Sequence, residues 1–300
     1  MAVGEMKALN VGPSNIEVAY ERCGDPEAPP VLLIIGGQMI NWPEGFCVEL
    51  VNRGLHVIRF DNRDAGRSSH FPDTPVPDLR AAMAGDVSSA SYTLSDMAAD
   101  TVGLLDVLGL GSVHLVGSSL GGMIAQTIAI EYPGRVRSLT SMSSRPGDPT
   151  TGTPDFDAIG PVGPPPEDRH GYIGWQVRAF RAVGSPGFEF DESAVAERAG
   201  RVYDRGYDRL GDLRQKVAVV ASGDRTEQLR HLRVPTLVIH GAADVMCDVS
   251  GGRATAAAIP GAKLVIIDGL GHSLPRALWP EFATHIAELV HRAEAVTPTT

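Results

Sequence analysis

The run Gly117-Ser118-Ser119-Leu120-Gly121 directly follows the apolar stretch Val113-His114-Leu115-Val116 and directly precedes a helical pattern from Met123 to Tyr132. A serine on such a strand-to-helix turn sits on a strained backbone, with its hydroxyl held clear of the sheet. Glycines two residues to either side leave room for that turn. The pattern therefore demands a buried strand with a helix packed back along it, and it makes Ser119 the candidate nucleophile.

The rest of the chain repeats this alternation. Short β-rich segments run from Glu17 to Arg22, Val31 to Ile35, Leu55 to Phe60, Val136 to Met142, Thr236 to His240 and Lys263 to Ile267. Several are continuously apolar, as expected of central strands covered on both faces, so the pattern predicts an α/β fold with a mostly parallel sheet flanked by helices. Between them, Leu94, Met97, Ala98, Thr101, Leu105 and Leu108 recur at helical spacing behind a Thr93-x-x-Asp96 capping pattern. A last helix, opened by Pro280, carries Phe282, Ile286, Leu289 and Val290 on one face. The alternation breaks between residues 145 and 226, where a proline-rich start gives way to helical patterns from Tyr172 to Val183, Ser193 to Tyr203 and Leu210 to Val220. This stretch is expected to be an inserted helical cap on a core formed by residues 1–144 and 227–300. The final Thr297-Pro298-Thr299-Thr300 reads as a loose tail.

With 300 residues, 43% of them hydrophobic, the chain can bury a large core. A formal charge of -10 without any Lys/Arg block gives no electrostatic footprint for nucleic acid or an anionic membrane, and neither is expected as a partner. Cys23, Cys47 and Cys247 are odd in number, scattered and without metal-ligand spacing, which suits a reducing compartment. Cys247 is assigned to packing. No basic stretch followed by an apolar one opens the chain, so a cytoplasmic protein without a metal site is expected.

A serine hydroxyl is a poor nucleophile unless a base lies within hydrogen-bond reach and a third group orients that base. His272, in Gly269-Leu270-Gly271-His272-Ser273 just past a strand, is the histidine on a flexible turn; His285 and His291 ride on the terminal helix. His240 ends a strand and reads as a histidine in a packed turn. The acid should follow the Thr236 to His240 strand, where Asp244 is the first choice and Asp248 the expected cap of the next helix. Asp268 is too near His272 along the chain to reach round to Nδ1. An oxyanion needs backbone N–H donors: Leu120, opening the helix after the elbow, supplies one, and Gly37 or Gln38 in the turn Gly36-Gly37-Gln38-Met39 the other.

The stretch from Asp61 to Ser68 is read as structural, its alternating charges satisfying one another and fixing the turn. The aromatics Tyr172, Trp175, Phe180, Phe188 and Phe190 are candidates both for an apolar pocket over Ser119 and for the core of the cap; Trp175 and Phe180 are the named pocket candidates.

With these elements in order, the chain resembles the α/β-hydrolase superfamily over nearly its full length. Ile35-Gly36-Gly37, Leu55-His56-Val57-Ile58-Arg59-Phe60-Asp61 and Asn62-Arg63-Asp64-x-Gly66-Arg67-Ser68 look like the aclacinomycin methylesterase group of polyketide-tailoring esterases and related actinobacterial carboxylesterases. Gly36 stands where many relatives have histidine. The resemblance implies the α/β-hydrolase fold and a cofactor-free serine esterase of carboxylesterase or methylesterase type, acting on a small-molecule ester, with its triad on Ser119, Asp244 and His272. A carbon–carbon hydrolase or cofactor-free perhydrolase reuses the same triad, and a ligand receptor with little turnover reuses the scaffold.

Overall fold

The computed structural model describes residues 3–296; the tail expected from Thr297 to Thr300 lies outside the described residues. Eight strands form one sheet: β1 (Val3–Val11), β2 (Ile16–Cys23), β3 (Pro30–Ile35), β4 (His56–Phe60), β5 (Val113–Ser118), β6 (Val136–Met142), β7 (Thr236–Gly241) and β8 (Lys263–Ile267). Their spatial order is β1-β2-β4-β3-β5-β6-β7-β8; β2 is antiparallel to both neighbours and every other pair is parallel. The helices are α1 (Glu44–Val51), α2 (Leu79–Met83), α3 (Leu94–Val107), α4 (Leu120–Glu131), α5 (Phe156–Ile159), α6 (Arg169–Ala182), α7 (Glu192–Asp204), α8 (Arg209–Ser222), α9 (Thr226–Leu229), α10 (Val249–Ala258) and α11 (Trp279–Val296).

Strand periodicity explains the two layers around the sheet. In β3, Leu32 and Ile34 enter one core with residues of α3 and α4, such as Leu105, Ile124 and Ile128. Val31 and Leu33 point to the other face and meet Phe46 and Leu50 of α1 with Phe282, Ile286 and Val290 of α11. The capping pattern before α3 is realised: the Thr93 N–H donates to Asp96 Oδ2 at 2.8 Å. Asp248 caps α10 by accepting the Ser250 N–H at 2.8 Å, the role expected of it.

Several elements escape the periodicity, β1, α1 and α2 among them. β1 is an edge strand with one side unpaired, so its polar residues blur the apolar alternation. The helices α1 and α2, with 8 and 5 residues, are too short to establish a helical repeat.

The charged stretch from Asp61 to Ser68 differs from expectation in its partners. Its charges do not neutralise one another but reach outward: Asp61 pairs with Arg205 at 2.5 Å, Arg63 with Asp100 at 2.5 Å and Asp64 with Arg214 at 2.8 Å. Neighbouring side chains in the turn point apart, so each meets an element distant in sequence. Arg205 follows α7 and Arg214 lies in α8, so two of the three pairs fasten the helical segment between β6 and β7 to the loop after β4. Asp64 also accepts the Tyr92 hydroxyl at 2.8 Å, and both oxygens are bonded by Arg214. Replacing Asp64 with Ala leaves the buried Arg214 guanidinium with Asp208 Oδ2 at 3.3 Å as its one remaining carboxylate, so chemical denaturation should register a loss of up to about 3 kcal/mol.

His114 sits within β5, fully buried between Ser138 Oγ at 2.8 Å and Glu294 Oε1 at 3.0 Å. Burial pushes its imidazole down to about 4, with Glu294 pulling the other way. An unfolded histidine titrates near about 6.5, so the folded state binds fewer protons between these values. The stabilising effect is present in full above about pH 6.5 and is lost as pH falls towards 4, by about 3 kcal/mol in total. His114→Gln should flatten that part of the stability–pH curve, as measured by urea unfolding at each pH.

Candidate active site

Ser119 leaves the C-terminal end of β5 with φ 54° and ψ -121°, a left-handed conformation for a residue with a side chain. The flanking glycines make this possible. A Cβ on Gly117 would lie 2.2 Å from the Gly121 carbonyl oxygen, and one on Gly121 would lie 2.0 Å from the Ile34 carbonyl oxygen. α4 is thus packed against β5 and β3 at a distance that excludes any side chain. The Ser119 N–H donates to Met142 O at 2.9 Å, and Ser144 Oγ donates to Ser119 O at 2.9 Å, so β6 and its following loop hold the turn from the other side.

Three distant segments meet at that serine. His272 Nε2 lies 3.0 Å from Ser119 Oγ, and His272 Nδ1 lies 2.8 Å from Asp244 Oδ2. Asp244 is buried after β7, and its Oδ1 accepts the N–H groups of Met246 at 2.9 Å and Cys247 at 2.8 Å, leaving Oδ2 for the imidazole. The histidine loop is held by the turn after α6: the His272 N–H donates to Val183 O at 2.8 Å and the Gly271 N–H to Ser185 Oγ at 2.9 Å. Asp268 is exposed and makes no part of this chain.

Behind the acid, buried His240 directs Nε2 to Cys247 O at 2.7 Å, the packed-turn role expected of it. A carbonyl partner fixes the proton on Nε2, and burial keeps the imidazole below its usual range. Cys247 is buried and its thiol is pushed up to about 12, chiefly by desolvation, in keeping with packing. Cys23 and Cys47 are free cysteines, Cys47 buried and Cys23 half-buried.

The turn after β3 adjoins the elbow because Ile35 of β3 is in register with Ser118 of β5. The two expected donors differ. Of the two alternatives, the Gly37 N–H is engaged by Gln215 Oε1 at 3.0 Å. The Gln38 N–H has no partner among the described residues, and neither has the Leu120 N–H at the first position of α4. Gln215 was not singled out in the sequence. It lies in α8, 178 residues from Gly37, and its Nε2 donates to Arg63 O at 2.7 Å, so one buried amide bridges the loops after β3 and β4. The Gln38 side chain in turn donates to Val202 O of α7 at 2.8 Å and accepts from Arg205 Nε at 3.2 Å.

Of the named aromatics, Trp175 stacks on Tyr172 with centroids 6.2 Å apart and donates to Gly163 O at 3.0 Å, contacts within the helical segment. Phe180 carries the Arg198 guanidinium 4.6 Å above its ring. Tyr172 is buried and packs with Met39, Ile40, Ala199 and Val202.

A family model described as the alpha/beta hydrolase fold matches residues 29–275. The chain is an α/β hydrolase. It is similar to the rhodomycin D methylesterase DnrP of Streptomyces peucetius, with 29% identity over 290 residues spanning 89% of this chain and 92% of that one. Among solved structures, this α/β hydrolase is similar to a hydrolase from Pseudomonas aeruginosa PA01, at 25% identity and TM-score 0.67, covering 97% and 98% of the two chains. The fold also matches a thermophilic esterase from Thermogutta terrifontis, with TM-score 0.70, 23% identity and coverage of 97% and 99%. Among the described residues of the hydrolase, no helix is long and apolar enough to cross a membrane.

The close approach of α4 to β3 makes the elbow intolerant of added volume. Gly121→Ala should lower stability by about 1–3 kcal/mol or more, because its Cβ meets backbone that cannot rotate away. Urea unfolding of the purified variant checks this.

Proposed function

We propose that this α/β hydrolase is a serine esterase that cleaves carboxylic esters through an acyl-enzyme, with Ser119 as nucleophile, His272 as base and Asp244 as the group that orients the base. One observation carries the reading: an unbroken line of two hydrogen bonds, 2.8 Å and 3.0 Å long, from the Asp244 carboxylate through the imidazole to the Ser119 hydroxyl. The similarity to a rhodomycin D methylesterase supports the choice of ester over other bonds.

In this mechanism His272 carries its proton on Nδ1, donated to Asp244, and presents the Nε2 lone pair to the Ser119 O–H. As Oγ attacks the ester carbonyl, Nε2 takes the proton and the carbonyl oxygen becomes an oxyanion. The N–H groups of Leu120 and Gln38 receive it, with the α4 dipole adding favourable potential. Collapse breaks the C–O bond and His272 returns its proton to the departing alcohol. Water, deprotonated by the same nitrogen, then attacks the acyl-enzyme and frees the acid and Ser119. Gln38 is preferred to Gly37 because the Gly37 N–H is already engaged by Gln215. In the same reading, residues 145–226 form a cap over a core of residues 1–144 and 227–300. The ties from Gln215, Arg205 and Arg214 to the loops after β3 and β4 support it.

Short-chain para-nitrophenyl esters should be turned over, and a fluorophosphonate probe should label the protein covalently. Ser119→Ala should abolish both, and labelling that persists in that variant would falsify the assignment. Asp244→Asn should cost about 10⁴-fold in kcat by favouring the wrong tautomer, whereas Asp248→Asn, which alters only a helix cap, should stay near the parent rate. Gln215→Leu frees the Gly37 turn and should lower kcat by about tenfold or more, with a smaller change in KM.

A further inference from the structure

His240 is the penultimate residue of β7, and its side chain is fully buried. Its Nε2 faces two oxygens, Cys247 O at 2.7 Å and Asp244 Oδ2 at 3.6 Å, the second beyond hydrogen-bond length. Its Nδ1 is buried and has no hydrogen-bond partner among the described residues. That side of the ring is closed by α10, where a Cβ on Gly252 would lie 2.5 Å from Nδ1 and 2.7 Å from Cγ. A proton on Nδ1 would be buried without an acceptor, and a lone pair on Nε2 would face two oxygens. The ring is thereby fixed as the neutral form with its proton on Nε2. Burial, which holds the imidazole below its usual range, acts in the same direction.

Cys247 connects this histidine to Asp244. Its C=O accepts the His240 N–H, and its own N–H donates to Asp244 Oδ1 at 2.8 Å, beside the Met246 N–H at 2.9 Å. From the segment after β6, the Asp155 N–H donates to Val245 O at 2.8 Å. The turn from 244 to 247 is thus held by its own carboxylate, by the strand before it and by a distant loop. With Oδ1 occupied, Oδ2 is the oxygen left for His272 Nδ1 at 2.8 Å. A charged ring at His240 would compete for that oxygen across 3.6 Å, whereas a neutral one leaves the carboxylate to His272.

We infer that His240 is a positioning residue for the acid: its N–H, held on Cys247 O, keeps the turn from 244 to 247 in the arrangement that presents Asp244 Oδ2 to His272. This rests on the esterase reading above and adds to its three side chains one that never touches the substrate.

His240→Leu removes the donor. It should lower kcat for para-nitrophenyl esters by about tenfold or more with KM within about twofold, as for a group felt in the transition state. His240→Gln, whose amide N–H reaches about as far as Nε2, should lose less. The deciding measurement is a double-mutant cycle on the rate of fluorophosphonate labelling. Because His240 acts through the carboxylate, His240→Leu should slow labelling about tenfold or more in the parent and about twofold or less in Asp244→Asn. An equal loss in both backgrounds, or no loss in the parent, overturns the inference. If urea unfolding shows that His240→Leu does not fold, His240→Asn, whose shorter amide falls short of Cys247 O, takes its place in the cycle. If no ester is hydrolysed and no label is taken up, the esterase reading fails by itself. Nitrogen-15 NMR of the histidine rings then decides about His240. A His272 proton fixed on Nδ1 in the parent and exchanging between both nitrogens in the variant upholds the inference, and a His272 ring in the same state in both proteins overturns it.

Discussion

The close approach of α4 to β5 and β3 is the constraint on which the remainder of the molecule depends. A turn that brings the Ser119 backbone to φ 54° sits here between positions with no side chain, since a Cβ on Gly117 or Gly121 would lie 2.2 Å or 2.0 Å from a carbonyl oxygen. The strain at Ser119 is offset by what surrounds it: a β5 paired on both sides, an α4 buried continuously from Gly121 to Ala129, and hydrogen bonds to the Met142 carbonyl and from the Ser144 hydroxyl. Because the elbow projects from the end of the sheet, the loops after β3, β7 and β8 are its natural neighbours, and they carry Gln38, Asp244 and His272.

A second layer of constraint ties the helical segment to those loops. The links are polar and buried, formed by Asp64 with Arg214, Asp61 with Arg205, and Gln215 with Gly37 and Arg63. Such contacts add little net stability compared with apolar packing, but they fix geometry because misalignment leaves buried charges and amides unpaired. The turn after β3 is thereby set by Gln215 of α8, Val202 of α7 and Arg205 just after it. The histidine loop is held in the same manner by Val183 and Ser185, which join the turn after α6 to the loop after β8.

How much could be read without coordinates differs by the range of the interaction. Runs such as Val31 to Ile35 and Thr236 to His240 announce covered strands because both faces of the sheet are buried, whereas β1 carries no such signature at its half-unpaired edge. Thr93 and Asp96 announce the start of α3 because their hydrogen bond spans a single turn. The stretch after β4 looks self-neutralising on paper, since opposite charges alternate along it. In the fold each side chain leaves in its own direction and finds a partner up to 150 residues away.

The sequence by itself determined the strand–turn–helix around Ser119, the order in which an acid and a histidine follow it, and the α/β layering, because each is written in spacing over a few residues. Only the tertiary structure decided that the Gly37 N–H is engaged by Gln215 while that of Gln38 has no partner among the described residues. The reason is physical: whether a donor or a charge is available depends on what lies within about 3 Å of it, and for these groups those neighbours come from elements separated by most of the chain.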